Sequence, residues 1–403
     1  MIIEPIIQGV VARSAHPAGC AAAVRQQIAY VEGCRTPGGG TGTAPKKVLI
    51  LGGSSGFGLA SRIALAFGDA QADTIAVSFE RGANDKGVGT AGWYNNIAFN
   101  GAAKSAGRIA KNFVGDAFSA DLREAVARYI EDEFGGQVDL VIYSLATGAR
   151  PNPETGELWR SAIKTLDAPY TGFMLDLERE ALLPLTVEPA TAEERFCTEK
   201  VMGGEDWEAW IRFLAGRGLL AAGAMTLSYS YIGSEINYPI YHHGTLGAAK
   251  RHLHATADTL DDFLSETVGG SAYAVVCKAL VTKASVFIPG LSPYLLALFR
   301  VHKALGLHEG PIEQMQRLFG ERLAAGLPET DAERLVRIDD WELRPDVQAQ
   351  VLEILSRMTP ENFRELGDYA GFRQAFMELN GFEVDGVDYA EDVDLEALRA
   401  LQP

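Results

Sequence analysis

The stretch KKVLIL at residues 46–51, the glycine-rich GGSSGFG at 52–58 and the helical pattern LASRIALAF at 59–67 constrain the fold more than any other part of the chain. An apolar run that ends on glycines and opens directly into a helix is the first half of a β-α-β unit. Gly52, Gly53, Ser54, Ser55, Gly56 and Phe57 then form a tight turn whose backbone can approach a pyrophosphate. The helix N-terminus adds unpaired N–H groups and about half a positive charge. A turn that needs glycine only for packing is the alternative, and the flanking strand and helix weigh against it.

The chain beyond keeps this rhythm. Residues 74–79, 108–114 and 138–143 read as strands, with helices at 57–67, 95–106 and 121–134. Such alternation predicts right-handed crossovers and a parallel sheet. Later, Thr245 is placed to cap a helix over 246–264, and AYAVVCKALVT at 272–282 reads as a strand completing the sheet. Between them the rhythm breaks: residues 150–210 hold Pro151, Pro153, Pro169, Pro184 and Pro189 and read as an insertion above the sheet edge. The expected fold is α/β, an enlarged Rossmann domain with a short-chain reductase-like parallel sheet. It divides into an N-terminal addition (1–45) closing with the loop TPGGGTGTAP, a nucleotide-binding domain (46–290), and a mostly helical region (291–403) covering the substrate site.

Glu80 follows Gly58 by 22 residues, near the spacing expected of a ribose-binding carboxylate. A carboxylate there accepts from the 2′-hydroxyl and repels a 2′-phosphate, which favours NADH; Arg81, adjacent, is the complication. Asp116-Ala117 and Ser144-Leu145-Ala146 stand at carboxyl ends of strands, where such sheets bind adenine and ribose.

Tyr241 and Lys250 supply chemistry. A phenol beside a fixed cation is a proton donor to a substrate that has just received hydride. At about 4 Å and an effective dielectric near 20, the cation contributes roughly 4 kcal/mol, about three pKa units, which would bring the phenol toward neutrality. Nine residues at about 100° each place the two side chains on opposite faces of one helix, so Tyr241 is expected before the helix and Lys250 within its first turns. The bland alternative makes Tyr241 one aromatic of a partly buried strand with Tyr229, Tyr231 and Tyr238, and Lys250 a solvated helix residue.

Composition excludes other classes. A formal charge of −17 without a basic block argues against nucleic acid. Cys20, Cys34, Cys197 and Cys277 are scattered, which fits a reducing cytoplasm and no metal site. His242-His243 and His252-x-His254 lack a ligand geometry, and the acidic 383–394 segment lacks the glycine and spacing of a calcium loop. MIIEPIIQGV has no basic leader, so no targeting is expected. The apolar 286–301 stretch is interrupted by Pro289 and Pro293 and is too short to span a membrane; it reads either as core or as a groove for a fatty chain.

The order Gly52-x3-Gly56-x-Gly58 resembles the short-chain dehydrogenase/reductase turn. The Tyr-x8-Lys spacing, GTAGWYNN (89–96), MGGEDW (202–207), HEGPIEQ (308–314) and FEVDGVDY (382–389) make the chain similar, over nearly its whole length, to the trans-2-enoyl-CoA reductase family, which includes FabV-type enoyl-acyl carrier protein reductases. The resemblance implies reduction of a trans-2-enoyl thioester by NADH in fatty acid synthesis, carried by CoA or acyl carrier protein, in a monomer. It implies Tyr241 as proton donor, Lys250 at the cofactor and Tyr231 near the substrate carbonyl. It also implies cofactor contacts from the 52–57 turn, Phe79, Glu80, Asp116, Ala117, Leu145, Ala146, Leu280, Val281 and Thr282. His242-His243 stand where the family pattern has Trp-Asn, and Arg251 replaces a common lysine. A β-ketoacyl thioester reductase and a non-catalytic NAD(H) sensor are the rival readings.

Overall fold

The computed structural model describes residues 1–36, 44–85, 87–324 and 326–403; most of the expected TPGGGTGTAP loop lies outside them. At its centre is a seven-stranded sheet in the spatial order Val336–Arg337, Ser271–Val276, Leu220–Ser230, Val138–Tyr143, Lys47–Leu51, Asp73–Ser78, Ala110–Val114. Every pairing in it is parallel. Chain order reverses between Lys47–Leu51 and Val138–Tyr143, and a crevice at the carboxyl ends of strands that part in this way is where an open α/β sheet binds its ligand.

Continuous apolar runs build the sheet because both faces are covered. Val48, Ile50, Leu140, Ile142, Leu227 and Val275 pack under the helix Gly56–Phe67 on one face. Leu49, Leu51, Val141, Ala274 and Val276 meet Trp207, Trp210, Leu253 and Leu260 on the other. A third core gathers the N-terminal segment, the helix Leu291–Leu305 and the C-terminal helices.

Several elements depart from the sequence reading. The helix Ala91–Ser105 begins four residues before the expected 95. The strand Leu220–Ser230 is absent from the expected strand–helix alternation, and only the alternative reading of Tyr229 has a strand there; it is rich in alanine and serine, contains Gly223 at φ +75°, and shifts register between Leu220 and Met225. The strand expected over 272–282 ends at Val276. Beyond it the amides of Lys278 and Ala279 donate to side chains, Gln314 Oε1 at 3.2 Å and Glu342 Oε2 at 2.6 Å, instead of to a neighbouring strand. Residues 17–33 form a helix with Pro17 in its first turn and His16 Nδ1 accepting from the Gly19 amide.

Thr245 does not cap its helix, which runs from Thr245 to Val268 with Gly244 at the N-cap. Its hydroxyl instead donates to the Ala162 carbonyl at 2.5 Å and accepts from the Lys164 amide at 3.1 Å, tying the helix to the insertion. Within the insertion are the antiparallel hairpins 149–160 and 170–187 and the helix Ala192–Met202, closed by a Thr191/Glu194 capping box. The 286–301 stretch divides: Leu295 to Phe299 are buried against the 170–187 hairpin and the C-terminal helices, whereas Phe287 is 47% exposed and lines, with Val286, a cavity that also borders Val10, Thr90 and Phe376.

Candidate functional site

The glycine turn sits where the sequence placed it. Gly52 has φ +92°, and a Cβ there would lie 2.5 Å from the Ser144 carbonyl oxygen, so the turn presses against the end of the neighbouring strand. Gly58 is required in the same way, since its Cβ would meet the Gly52 carbonyl oxygen at 2.1 Å. Ser55 makes no side-chain cap bond, so the first amides of the helix Gly56–Phe67 face the crevice without a cap. Asn95 Nδ2 holds the turn from the far side through the Ser54 carbonyl at 3.0 Å.

Glu80 is held rather than free. Ser54 Oγ donates to its Oε1 at 2.6 Å, and Thr90 Oγ1 donates to its Oε2. Its carboxylate lies over Gly92, where a Cβ would be 2.0 Å from Oε1. Each oxygen keeps a lone pair for a ribose hydroxyl. Phe79, beside it, is 83% exposed, a large apolar surface free to cover a base. Asp116 Oδ1 accepts from the Phe118 amide at 2.9 Å, and the Ala117 carbonyl accepts from Trp210 Nε1 at 3.1 Å, which fixes that strand end. Leu145 and Ala146 follow the strand Val138–Tyr143. Leu280, Val281 and Thr282 line the other side: Thr282 Cγ2 stands 4.0 Å from where a Gly56 Cβ would be. Ser285 shapes this segment, donating to the Leu280 carbonyl at 2.6 Å and accepting from the Thr282 amide at 2.8 Å. The uncapped amides, the glycine cradle and the held carboxylate fit a dinucleotide.

Tyr241 precedes the helix and Lys250 lies in its second turn, as the spacing predicted. The Tyr241 carbonyl accepts from the amides of Gly244 at 2.9 Å and Gly247 at 3.0 Å, which pins the tyrosine onto the helix start. Its ring is 4% exposed and meets the Tyr231 ring edge to face at 4.8 Å. Lys250 Nζ donates to the Tyr229 carbonyl at 3.1 Å, and the buried Cys277 thiol is an electrostatic neighbour of both Tyr241 and Lys250.

One expectation is overturned. Burial pushes the Tyr241 phenol up, with no lowering from Lys250, and burial lowers Lys250 itself to about 8. Desolvation is the largest cause for both groups, and the electrostatic neighbour of each is Cys277 rather than the other. Tyr241 is therefore a phenol that keeps its proton at neutral pH. His242 does not face it: that ring stacks on Tyr238 at 4.7 Å, and the His242 carbonyl accepts from Arg251 Nη1 at 2.9 Å.

Tyr231 donates to Glu342 Oε1 at 2.8 Å. Neither Glu342 nor Thr90 nor Gly247 was found from sequence. Glu342 is one of three acids in IDDWELRP, with nothing local to single it out, and only folding brings it 111 positions back to Tyr231. Among the described residues no group of three His, Cys, Asp or Glu stands together as a metal site.

A parallel sheet covered by helices on both faces, with a glycine turn that fits a dinucleotide and a buried tyrosine just before the helix that carries Lys250, is the frame of a nicotinamide-dependent oxidoreductase. The family is narrower. A model described as the trans-2-enoyl-CoA reductase catalytic region matches residues 87–324, and the NAD(P)H binding domain of trans-2-enoyl-CoA reductase matches 2–85. A third, described as an enoyl reductase FAD binding domain, matches 330–393. The chain is 60% identical, over all of both sequences, to an enoyl-[acyl-carrier-protein] reductase [NADH] 2 of Photobacterium profundum. To a trans-2-enoyl-CoA reductase [NADH] of Clostridium beijerinckii it is 49% identical, again over the full length of both. A crystal structure of trans-2-enoyl-CoA reductase from Clostridium acetobutylicum, in complex with NADH, superposes with a TM-score of 0.96 at 46% identity and complete coverage of both chains. The chain belongs to the trans-2-enoyl-CoA reductase family.

Proposed function

We propose that Tyr241 is the proton donor of this protein, an NADH-dependent enoyl-thioester reductase of fatty acid biosynthesis. The observation that carries the assignment is the burial of a proton-retaining Tyr241 against Tyr231, near the cofactor cradle. When bound, NADH supplies the hydride to the β-carbon of the trans-2 double bond. The residues of the chain do the rest. The 52–57 turn and its helix amides hold the pyrophosphate, Glu80 the adenosine ribose, Asp116, Ala117, Leu145 and Ala146 the adenine side, and Leu280 to Thr282 the nicotinamide side. Lys250 binds the nicotinamide ribose. Tyr231 orients the thioester oxygen, and Tyr241 gives its proton to the strongly basic enolate. Tyr241 holds its proton at neutral pH, as a donor must; the rise in its pKa also weakens it as an acid, so the transfer relies on the greater basicity of the enolate.

The domain reading belongs to the same proposal. The 291–403 region covers the substrate site, and the enzyme is a cytoplasmic monomer acting on CoA- or acyl carrier protein-bound substrates. Among the described residues no helix is long and apolar enough to cross a membrane.

NADH oxidation with crotonyl-CoA, acetoacetyl-CoA and a matched enoyl-acyl carrier protein tests the reading. Consumption with the enoyl substrates and none with acetoacetyl-CoA supports it. Turnover of acetoacetyl-CoA alone would restore the carbonyl-reductase alternative.

A further inference from the structure

Glu342 lies behind the site with no exposed surface. Its Oε1 accepts from the hydroxyls of Tyr231 at 2.8 Å and Tyr294 at 2.7 Å, and its Oε2 accepts from the Ala279 amide at 2.6 Å. Among the described residues no cation comes within 4.0 Å of it. A buried carboxylate with two phenols and an amide, and no ion pair of its own, is a costly arrangement to keep for packing alone.

The geometry restricts Tyr231. A phenol has one hydrogen, and here that hydrogen points at Glu342, while Asn237 Nδ2 donates to the phenol oxygen at 3.3 Å. So long as Glu342 is a carboxylate, Tyr231 has no hydrogen to offer a thioester oxygen.

We propose that Glu342 is a positioning residue that works in its protonated form, donating its own hydrogen to the Tyr231 oxygen so that the Tyr231 hydrogen turns to the substrate. The proposal rests on the reading of Tyr231 as the residue that orients the thioester. Glu342 keeps its proton through turnover; the proton added to the product comes from Tyr241.

The surroundings favour the neutral acid. Burial raises the Glu342 carboxyl above the usual carboxylate range against the pull of its three hydrogen bonds, and Asp339 adds to the rise. Lys278, the cation on the neighbouring segment, feels the Glu342 charge, but its ammonium donates to His302 Nδ1 at 2.9 Å and stands 4.0 Å from Glu309. Tyr294 and Gln348 close the remaining side, with Gln348 Nε2 donating to the Tyr294 hydroxyl at 3.0 Å. Tyr241 meets the other face of the pair, its ring against that of Tyr231 at 4.8 Å. Because Ala279 leads directly into Leu280 to Thr282, the same carboxyl also anchors the segment assigned to the cofactor.

The test is a pH comparison of kcat/KM for crotonyl-CoA with NADH in the wild type, Glu342→Gln, Tyr231→Phe and the double variant. In Glu342→Gln the carboxamide accepts from Ala279 and donates to Tyr231 at every pH, so the Tyr231 hydrogen always faces the substrate. The ratio of Glu342→Gln to wild type is expected to rise about tenfold or more as pH is raised and the wild-type Glu342 loses its proton. On the Tyr231→Phe background that ratio is expected to be flat. Any limb from Lys250 cancels in the ratio. A flat ratio in both backgrounds, or an equal rise in both, overturns the proposal.

An NADH fluorescence titration reports whether Glu342→Gln folds. If it does not, the ratio of wild type to Tyr231→Phe decides: a fall toward one with rising pH supports the switch, and a pH-independent ratio overturns it. If Tyr231→Phe matches the wild type at every pH, the fault lies in the role assigned to Tyr231 itself, and the switch falls with it.

Discussion

The amide of Gly247 donates to the carbonyl of Tyr241 at 3.0 Å, and a Cβ on Gly247 would stand 2.7 Å from that same oxygen and 2.1 Å from the carbonyl oxygen of His242. The helix start and the tyrosine are thus one rigid unit, closed by a residue with no side chain. Gly247→Ala is expected to push Tyr241 out of line. A displacement on the order of 1 Å at a reacting group costs about 10- to 100-fold in turnover. Steady-state kinetics should show that loss in kcat, with NADH affinity nearly unchanged because the glycine turn is remote in sequence and separately anchored by Asn95.

Glu80 sits between Ser54 and Thr90, positioned before any ribose arrives. Removing a hydrogen bond to a charged group costs roughly 1.5–3 kcal/mol. Glu80→Ala should therefore lower kcat/KM for NADH by about 10- to 100-fold. The same change removes the repulsion of a 2′-phosphate and leaves Arg81 in place, so kcat/KM for NADPH should hold or rise. An unchanged NADH/NADPH ratio would remove Glu80 from the ribose site.

Lys250 has a pKa lowered to about 8 because burial disfavours its charge. Its neutral form grows as pH rises through that value, so an enzyme that needs the ammonium loses kcat/KM above about pH 8. A guanidinium stays charged throughout. Lys250→Arg, whatever its absolute rate, should therefore lack this alkaline fall; a fall of the same shape in the variant would assign it to another group.

How much of this could be read in advance follows from where the signal lies. KVLIL, the glycines and the helix behind them are consecutive, so local periodicity and turn chemistry suffice to find them. Tyr241 and Lys250 lie on one short segment, and helix arithmetic was enough to separate loop from helix. The strand Leu220–Ser230 escaped because its burial between two strands comes from the sheet, and its alanine, glycine and serine carry little β signal. Helix Ala192–Met202 was announced by Thr191 and Glu194 at capping-box spacing, a local cue masked by the surrounding prolines. Glu342 had no cue at all: its partners Tyr231, Ala279 and Tyr294 come from distant parts of the chain. The expected fall in the phenol pKa failed for a related reason, since sequence gives the distance class of a charge pair but not its desolvation.

The central claim is that the buried, proton-retaining Tyr241 protonates the enolate. Turnover of crotonyl-CoA by Tyr241→Phe, measured beside an NADH fluorescence titration of the same variant, tests it most directly. The account predicts that NADH binding stays within about threefold of wild type while turnover falls at least about 100-fold. Turnover at the wild-type rate with NADH bound normally would contradict it.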